Sequence, residues 1–558
     1  MRSIANTPLA ATALMGAALM GTAHAQDRAA LLAQHSGGTL KLLATGAGGT
    51  LDPQINYTSE YWPVAWLVYD GLVAFKKIAG PASNELAPDL AEAIPEPTDG
   101  GKTYVFKLRP GIHFSTGKEV TTDDVVASFQ RIFKVSSPTA GTFYNGIVGA
   151  DKCLATAATC TLDGGVVGDP KAGTVTFHLT APDSEFLLKL GVPHAYVLPA
   201  DSPAKDAGVI PLPGTGPYSI ASYDPNTAMN LVRNPAFKEW SAEAQPAGFP
   251  DEIDYAFGMA PEAQVTAVER GQADWLFDPP PTDRLAELGT KYLKQVKVEP
   301  LLAMYYLPMN TNLAPFNDIR VRQAVNYAID RKALVTLFGG PNLATPSCQI
   351  LPPHFPGHVD YCPYTQNPGA TWSAPDVARA KQLIADSGTA GQKVTLIVED
   401  LAVNRAIGEY LIGVLRGLGY DAQVKAISAD TQFTYIQNTS NTVQISLTEW
   451  YQDYPAASDF LNVLFSCASF HPGSDSSVNI SGWCDRAVNA EMAQTLATAV
   501  TDPAAANTMW AKIDREVTDA APVAVLFTPK HFDLVGERVG NFLYSEQFHW
   551  IFSQSWVK

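Results

Sequence analysis

Val394-Thr395-Leu396-Ile397-Val398 is a β-branched run of strand type, and it decides the fold. Behind it Ile407, Tyr410, Leu411, Val414 and Leu415 recur at helical spacing until Gly417 and Gly419 stop them, and Ala422 to Ile427 forms a second strand. Strand, helix and strand in this order make a βαβ unit with parallel strands. A third strand, Val443 to Thr448, runs directly into Glu449-Trp450-Tyr451-Gln452-Asp453-Tyr454-Pro455. In open α/β sheets ligands bind beyond the carboxyl ends of the strands, which nominates this segment for the site.

Working towards the N-terminus, Tyr104 to Leu108 and Thr174 to Leu179 alternate with period two, as half-buried strands do. Between them Val125, Phe129, Ile132 and Phe133 share one helix face, with Thr122 as the expected N-cap and Asp123 and Asp124 at the positive end of the helix dipole. Leu40 to Thr45 reads as a strand that ends in a glycine loop. That loop is not a dinucleotide fingerprint, because Leu51 stands where the third glycine is needed.

The chain has 558 residues, 55 acidic against 38 basic, a net charge of −17 and 46% hydrophobic content. Such a balance describes a multidomain acidic globular protein and excludes a disordered chain or a basic nucleic-acid binder. Arg2, the apolar stretch Leu9 to Met20 and Ala23-His24-Ala25 have the layout of a secretory signal cleaved after Ala25. The apolar stretch is too short to span a bilayer, and no cysteine near the cleavage site offers a lipid attachment, so a free periplasmic protein is expected. Six cysteines allow fifteen pairings. The scheme with the smallest loops joins Cys153 to Cys160, Cys348 to Cys362 and Cys467 to Cys484.

No catalytic constellation stands out. There is no Gly-x-Ser-x-Gly elbow and no His-Glu-x-x-His helix. The Ser-x-x-Lys stretches at Ser115 and Ser202 contain Gly117 and Pro203, which break the helical turn the motif needs. His354 and His358 are separated by Phe355-Pro356-Gly357, which forbids a helical metal pair. The sequence therefore offers no catalytic constellation above background, and no enzyme activity, cofactor or metal is expected.

Several stretches carry a resemblance in a fixed order: Leu51-Asp52-Pro53, Tyr69-Asp70-Gly71-Leu72, Pro88-Asp89-Leu90-Ala91-Glu92, the run Gly101 to Gly111, Val120 to Val125, Gly214-Thr215-Gly216-Pro217-Tyr218, Ile319 to Val325 and Ala328-Ile329-Asp330-Arg331. The chain resembles the extracytoplasmic solute-binding proteins that serve peptide and nickel ABC importers, most closely their dipeptide and oligopeptide branch. The resemblance implies a periplasmic-binding-protein-like fold, two α/β lobes around a hinge cleft with an extra subdomain inserted in lobe I. Carried onto this chain, residues 1–25 are the signal peptide, 26–75, 190–300 and 525–558 form lobe I, 76–189 the insertion, and 301–524 lobe II. Arg109 and Asp124, in the insertion, are then fold contacts.

The resemblance also implies a role for Asp453. Trp450-Tyr451-Gln452-Asp453 matches the Trp-x-x-Asp segment whose carboxylate grips the ligand's α-ammonium, and the distance to Cys467 and its pairing with Cys484 resemble the dipeptide binder. Tyr57, Tyr61, Trp62, Tyr305, Tyr306 and Tyr454 are the accompanying aromatic candidates. The arginine that holds a dipeptide's carboxylate has no match near Glu399 to Asn404, and Arg405 is the displaced candidate. The implied activity is capture of a peptide-like or other amine-bearing solute by a monomer that hands it to the permease subunits of an ABC importer. A nickel chelate, oligosaccharide, opine or glutathione is the alternative cargo, and an exported hydrolase the alternative class.

Overall fold

The computed structural model describes residues 28–474 and 477–557, so the expected leader and its cleavage site after Ala25 lie outside the described residues. The βαβ unit forms as read. Strands Lys393–Glu399 and Asp421–Ile427 are parallel in full register, and helix Ala402–Gly417 connects them, burying Ile407, Leu411 and Leu415. The third strand differs from expectation. Ile445–Ser446 pairs parallel with Lys393–Glu399, but the chain then leaves that sheet at Leu447, and Thr448–Tyr451 pairs antiparallel with Ala303–Pro308. One hydrophobic run thus belongs to two sheets, because both bury their strands and impose the same apolar pattern.

A second parallel core is assembled from distant segments. Its strand order is Trp275–Leu276, Thr39–Leu43, Glu252–Ala256, Ala228–Arg233 and Tyr218–Asp224, with the first three mutually parallel. Between the two α/β lobes lies an antiparallel ribbon. The long strand Val523–Leu534 pairs through its second half with Val296–Pro300 and through its first half with Ala303–Pro308. It runs unbroken across the expected boundary at 524/525.

The small sheet of Thr103–Lys107, Thr174–His178 and Val166–Asp169 carries helix Thr122–Lys134 on its face. Thr121 is the N-cap of this helix, one residue before the expected Thr122. The reason is Asp124, whose carboxylate accepts from the Thr121 N–H at 2.9 Å while Thr121 Oγ1 accepts from the Asp124 N–H, closing a capping box. Arg109 donates to the Asp89 carbonyl at 2.8 Å, also a fold contact. All three neighbouring cysteine pairs are bridged.

The matching stretches of sequence brace the first lobe. Asp70 is fully enclosed and accepts from Thr215 Oγ1 at 2.6 Å and Gln245 Nε2 at 2.5 Å. Gly214 and Gly216 lie so close to helix Trp62–Val68 that a Cβ would sit 1.9 Å from the Val68 carbonyl oxygen and 2.3 Å from that of Leu67. No side chain fits there. Arg131 forms a buried ion pair with Asp52 and also donates to Gln54 Oε1 at 2.9 Å, fixing the start of the loop that carries Tyr57.

Candidate functional site

All three parallel strands of the second lobe deliver cavity residues just beyond their carboxyl ends. Glu399 closes the first strand, Ala429 and Gln432 follow the second, and Thr448 follows the third. On the first lobe, Thr45 and Gly46 follow strand Thr39–Leu43, and Phe277 and Asp278 follow Trp275–Leu276. Both halves therefore aim the same end of their sheets at one cleft, as the geometry of doubly wound sheets requires.

The cleft has three adjoining chambers. The first spans about 910 Å³, counting the solvent-open space at its mouth, and is walled by Tyr57, Glu60, Trp62, Glu399, Phe433 and the run Thr448 to Asp453. Ser59, Tyr451 and His549 are shared with a second chamber of about 750 Å³, lined by Phe277, Pro279, Leu285, Tyr305, Phe338 and Phe532. Glu60 and Ala429 are shared with a third, smaller one that adds Asp278 and Asp400.

Asp453 sits in the wall of the first chamber with 6% of its surface exposed. One carboxylate oxygen accepts from the Tyr57 hydroxyl, on the segment after strand Thr39–Leu43. Its N–H donates to Asp459 Oδ2 at 2.9 Å, and its carbonyl accepts from Gln547 Nε2 at 2.6 Å, so the backbone is held on both sides. Burial pushes the Asp453 carboxyl up to about 7, against the Tyr57 hydrogen bond, which favours the ionised form. Tyr57 is itself fixed by rings: Trp62 at 5.5 Å, Trp450 edge-on at 5.8 Å and His194 at 5.0 Å. Burial holds His194 down at about 4, so it is neutral, its Nε2–H donating to the Asn56 carbonyl at 3.0 Å.

The structure brings together Asp453, Trp450, Tyr451, Gln452, Tyr57 and Trp62 on the first chamber, and Tyr305 on the second. It separates the other candidates. Tyr61 turns into the core, its hydroxyl donating to the Leu51 carbonyl at 2.5 Å, because it lies one helical step away from Trp62. Tyr306 points to the opposite face of its strand from Tyr305, and Tyr454 is buried against Ser458 at 3.0 Å. Arg405 is exposed, pairs with Asp400 and lines none of the three chambers.

Glu60, Glu399, Glu449, Gln547 and His549 were not among the expected site residues. The rule that nominated the segment after Thr448, applied to the two preceding strands, leads to Glu399 and Gln432. Burial and then the Glu60 carboxylate push Glu449 up to about 7, and burial, Glu449 and Glu60 raise Glu399 well above the usual carboxylate range.

Two α/β lobes joined by a ribbon, with their strands converging on an enclosed crevice, define a ligand-capturing receptor. Residues 85–471 match the middle region of the bacterial extracellular solute-binding proteins, family 5, and the chain belongs to that family. It is 26% identical to the dipeptide-binding protein of Escherichia coli strain K12 over 478 residues, 80% of this chain and 81% of that protein. It is 30% identical to heme-binding protein A of Haemophilus influenzae over 343 residues, 58% of this chain and 56% of that one. Among solved structures, the ABC transporter-associated periplasmic binding protein DppA from Helicobacter pylori in complex with the peptide STSA superimposes with a TM-score of 0.80 at 19% identity, covering 94% of this chain and 98% of that one.

Proposed function

We propose that the protein is the periplasmic receptor of an ABC importer for a peptide-like solute, held by its α-ammonium at Asp453 and enclosed by hinge bending of the two lobes. The observation that carries this reading is the buried Asp453 carboxylate in the wall of the first chamber, hydrogen-bonded by Tyr57. A cation settling there restores the charge on a carboxylate that burial has driven towards neutrality, in a space where an ion pair is poorly screened. The second support is the outer strand Thr448–Tyr451. It lies at the margin of its sheet, and its residues, with Gln452 and Asp453, all line the chamber. An extended peptide can add to that edge through main-chain hydrogen bonds.

In this reading lobe I comprises 26–75, 190–300 and 525–558, the insertion 76–189 and lobe II 301–524; the five-stranded sheet holding Thr39–Leu43 falls wholly within lobe I, while Val523–Leu534 crosses the boundary at 524/525 and Val73–Phe75 pairs with Leu86–Pro88 across that at 75/76. Closure is favoured by any solute that contacts both lobes, since it then binds the closed form better. The leader at 1–25 fits export to the periplasm, and delivery to a permease follows the relatives whose names record transport of this kind.

The test is calorimetry with pools of short peptides on the wild type and on Asp453→Asn. Peptides should give saturable heat, and the variant should lose about a hundredfold or more in affinity, since removing one partner of a buried ion pair costs about 3–5 kcal/mol. If no peptide pool binds while an amine-free solute does, the reading is wrong.

A further inference from the structure

The first chamber is one-sided in charge. Glu60, Glu399, Glu449 and Asp453 line it, Asp278 and Asp400 line the chamber that opens from it at Glu60, and among the described residues lining either there is no lysine or arginine. Its hydrogen-bonding groups are unbalanced in the same sense. Asn404, 2% exposed, donates through Nδ2 to Glu399 Oε2 at 2.6 Å, and its Oδ1 beside that carboxylate has no partner among the described residues. Gln452, in the chamber wall, uses its amide N–H groups on Asn84 and Gln547 and also leaves its Oε1 without one. Buried acceptors of this kind are rarely left unmatched in a working protein. The indole N–H of Trp450 is a fully buried donor without a partner among the described residues.

One α-ammonium does not answer this wall. Glu449 and Asp453 lie on the same segment four residues apart, and full extension at about 3.3 Å per residue would put their backbones at most about 13 Å apart. Glu399 and Glu60 group with Glu449: the Glu60 charge acts on both Glu399 and Glu449, and the Glu449 charge on Glu399. The chamber therefore carries an acidic group besides Asp453. With only an α-ammonium bound at Asp453, the half-buried carboxyls of Glu399 and Glu449 would keep no cation facing them in the chamber.

We infer that the solute carries a second cationic group, a lysine or arginine side chain near the second or third position of a short peptide, seated between Glu399, Glu449 and Glu60 while the α-ammonium occupies Asp453. This rests on the peptide reading above and narrows it to basic peptides. The spacing suits an extended chain running along Thr448–Tyr451, since a span of at most about 13 Å is three to four residues of strand or fewer when a long side chain supplies the reach. Glu449 and Asp453 both line the first chamber, so both can face such a peptide.

The experiment compares tripeptides that differ in one atom group. Lysine is placed at the second or the third position, each paired with its norleucine counterpart, and titrated into the wild-type protein, Glu399→Gln, Glu449→Gln and the double variant. At least one lysine peptide should bind wild type about tenfold or more tighter than its norleucine partner. The double variant should erase that preference, and Asp453→Asn should weaken both peptides alike. Equal affinity for lysine and norleucine forms in the wild type, which needs no variant to fold, overturns the inference while leaving the peptide reading intact. A lysine preference that survives in the double variant also overturns it. Failure of all four peptides to bind overturns both.

Discussion

The Tyr57 hydroxyl donates to Asp453 across 396 residues of sequence, joining the loop after the first strand of one lobe to the segment where the other lobe meets the ribbon. The bond favours the charged carboxylate that burial opposes. Tyr57→Phe keeps the ring contacts to Trp62, Trp450 and His194 and removes only the donor. A hydrogen bond to a charged group is worth about 1.5–3 kcal/mol, so an amine ligand should bind about tenfold or more weakly to the variant at neutral pH, measured by calorimetry. Unchanged affinity would show that Tyr57 does not act on Asp453.

Ligand affinity should depend on pH through Asp453. Its carboxyl must ionise to hold a cation, and in the empty protein it does so at about 7. Below that value affinity should fall about tenfold per pH unit, while above about 8 it should level off until the ligand amine itself loses its proton. Asp453→Asn should abolish this slope in the affinity that remains.

The same groups set an opposite trend for the stability of the empty protein. Asp453 and Glu449 ionise at about 7 in the folded chain, well above their ordinary 3.8 and 4.5. The folded state therefore holds more protons than the unfolded one between those limits, and the stabilisation present at acidic pH is lost as pH rises towards 7 and beyond. Melting temperature without ligand should drop between about pH 5 and 8 once global charge effects are subtracted with Asp453→Asn and Glu449→Gln. A saturating cationic ligand should reverse much of the drop. A steeper fall in the two variants than in the wild type would contradict the assignment.

Two glycine-to-alanine substitutions should act with opposite sign. At Gly214 the new Cβ would lie 1.9 Å from the Val68 carbonyl oxygen, forcing helix Trp62–Val68 away and with it the chamber residues Trp62 and Trp66. A loss of about 3 kcal/mol or more is expected, together with weaker binding. Gly413 lies within helix Ala402–Gly417 with nothing within 4 Å of its would-be Cβ, so Gly413→Ala should stabilise by about 0.5–1 kcal/mol and leave binding unchanged. Chemical denaturation measures both.

Thr121→Ala offers a control confined to the insertion. Losing the cap of helix Thr122–Lys134 should cost about 1 kcal/mol in denaturation and leave ligand affinity within experimental scatter, since the helix contributes nothing to the three chambers.

The framework of the second lobe was legible because its signals are local: a β-branched run, a helical stripe, a glycine stop and a second strand appear where periodicity puts them. The nearest-neighbour bridges were legible because short loops leave the cysteines little choice. What depended on distant partners was not. Tyr305 and Tyr306 are adjacent, and alternation assigns them to opposite faces without saying which face is hollow. Glu399 and Glu449 look like any strand-end carboxylates until the fold buries them beside Glu60. The break at Leu447 leaves no mark, because the two sheets that share the run from Val443 to Tyr451 ask for the same side chains.

That shared run has a mechanical meaning. From Ile445 to Asp453 one short stretch of backbone is first a rib of the second lobe, then part of the axle between the halves, and finally the handhold offered to the cargo. If a guest is held at Asp453 as proposed, its pull reaches the ribbon through the covalent chain itself, with no intervening relay. Lengthening the stretch by a flexible residue at Leu447 would slacken that coupling, letting the guest settle without drawing the lobes together.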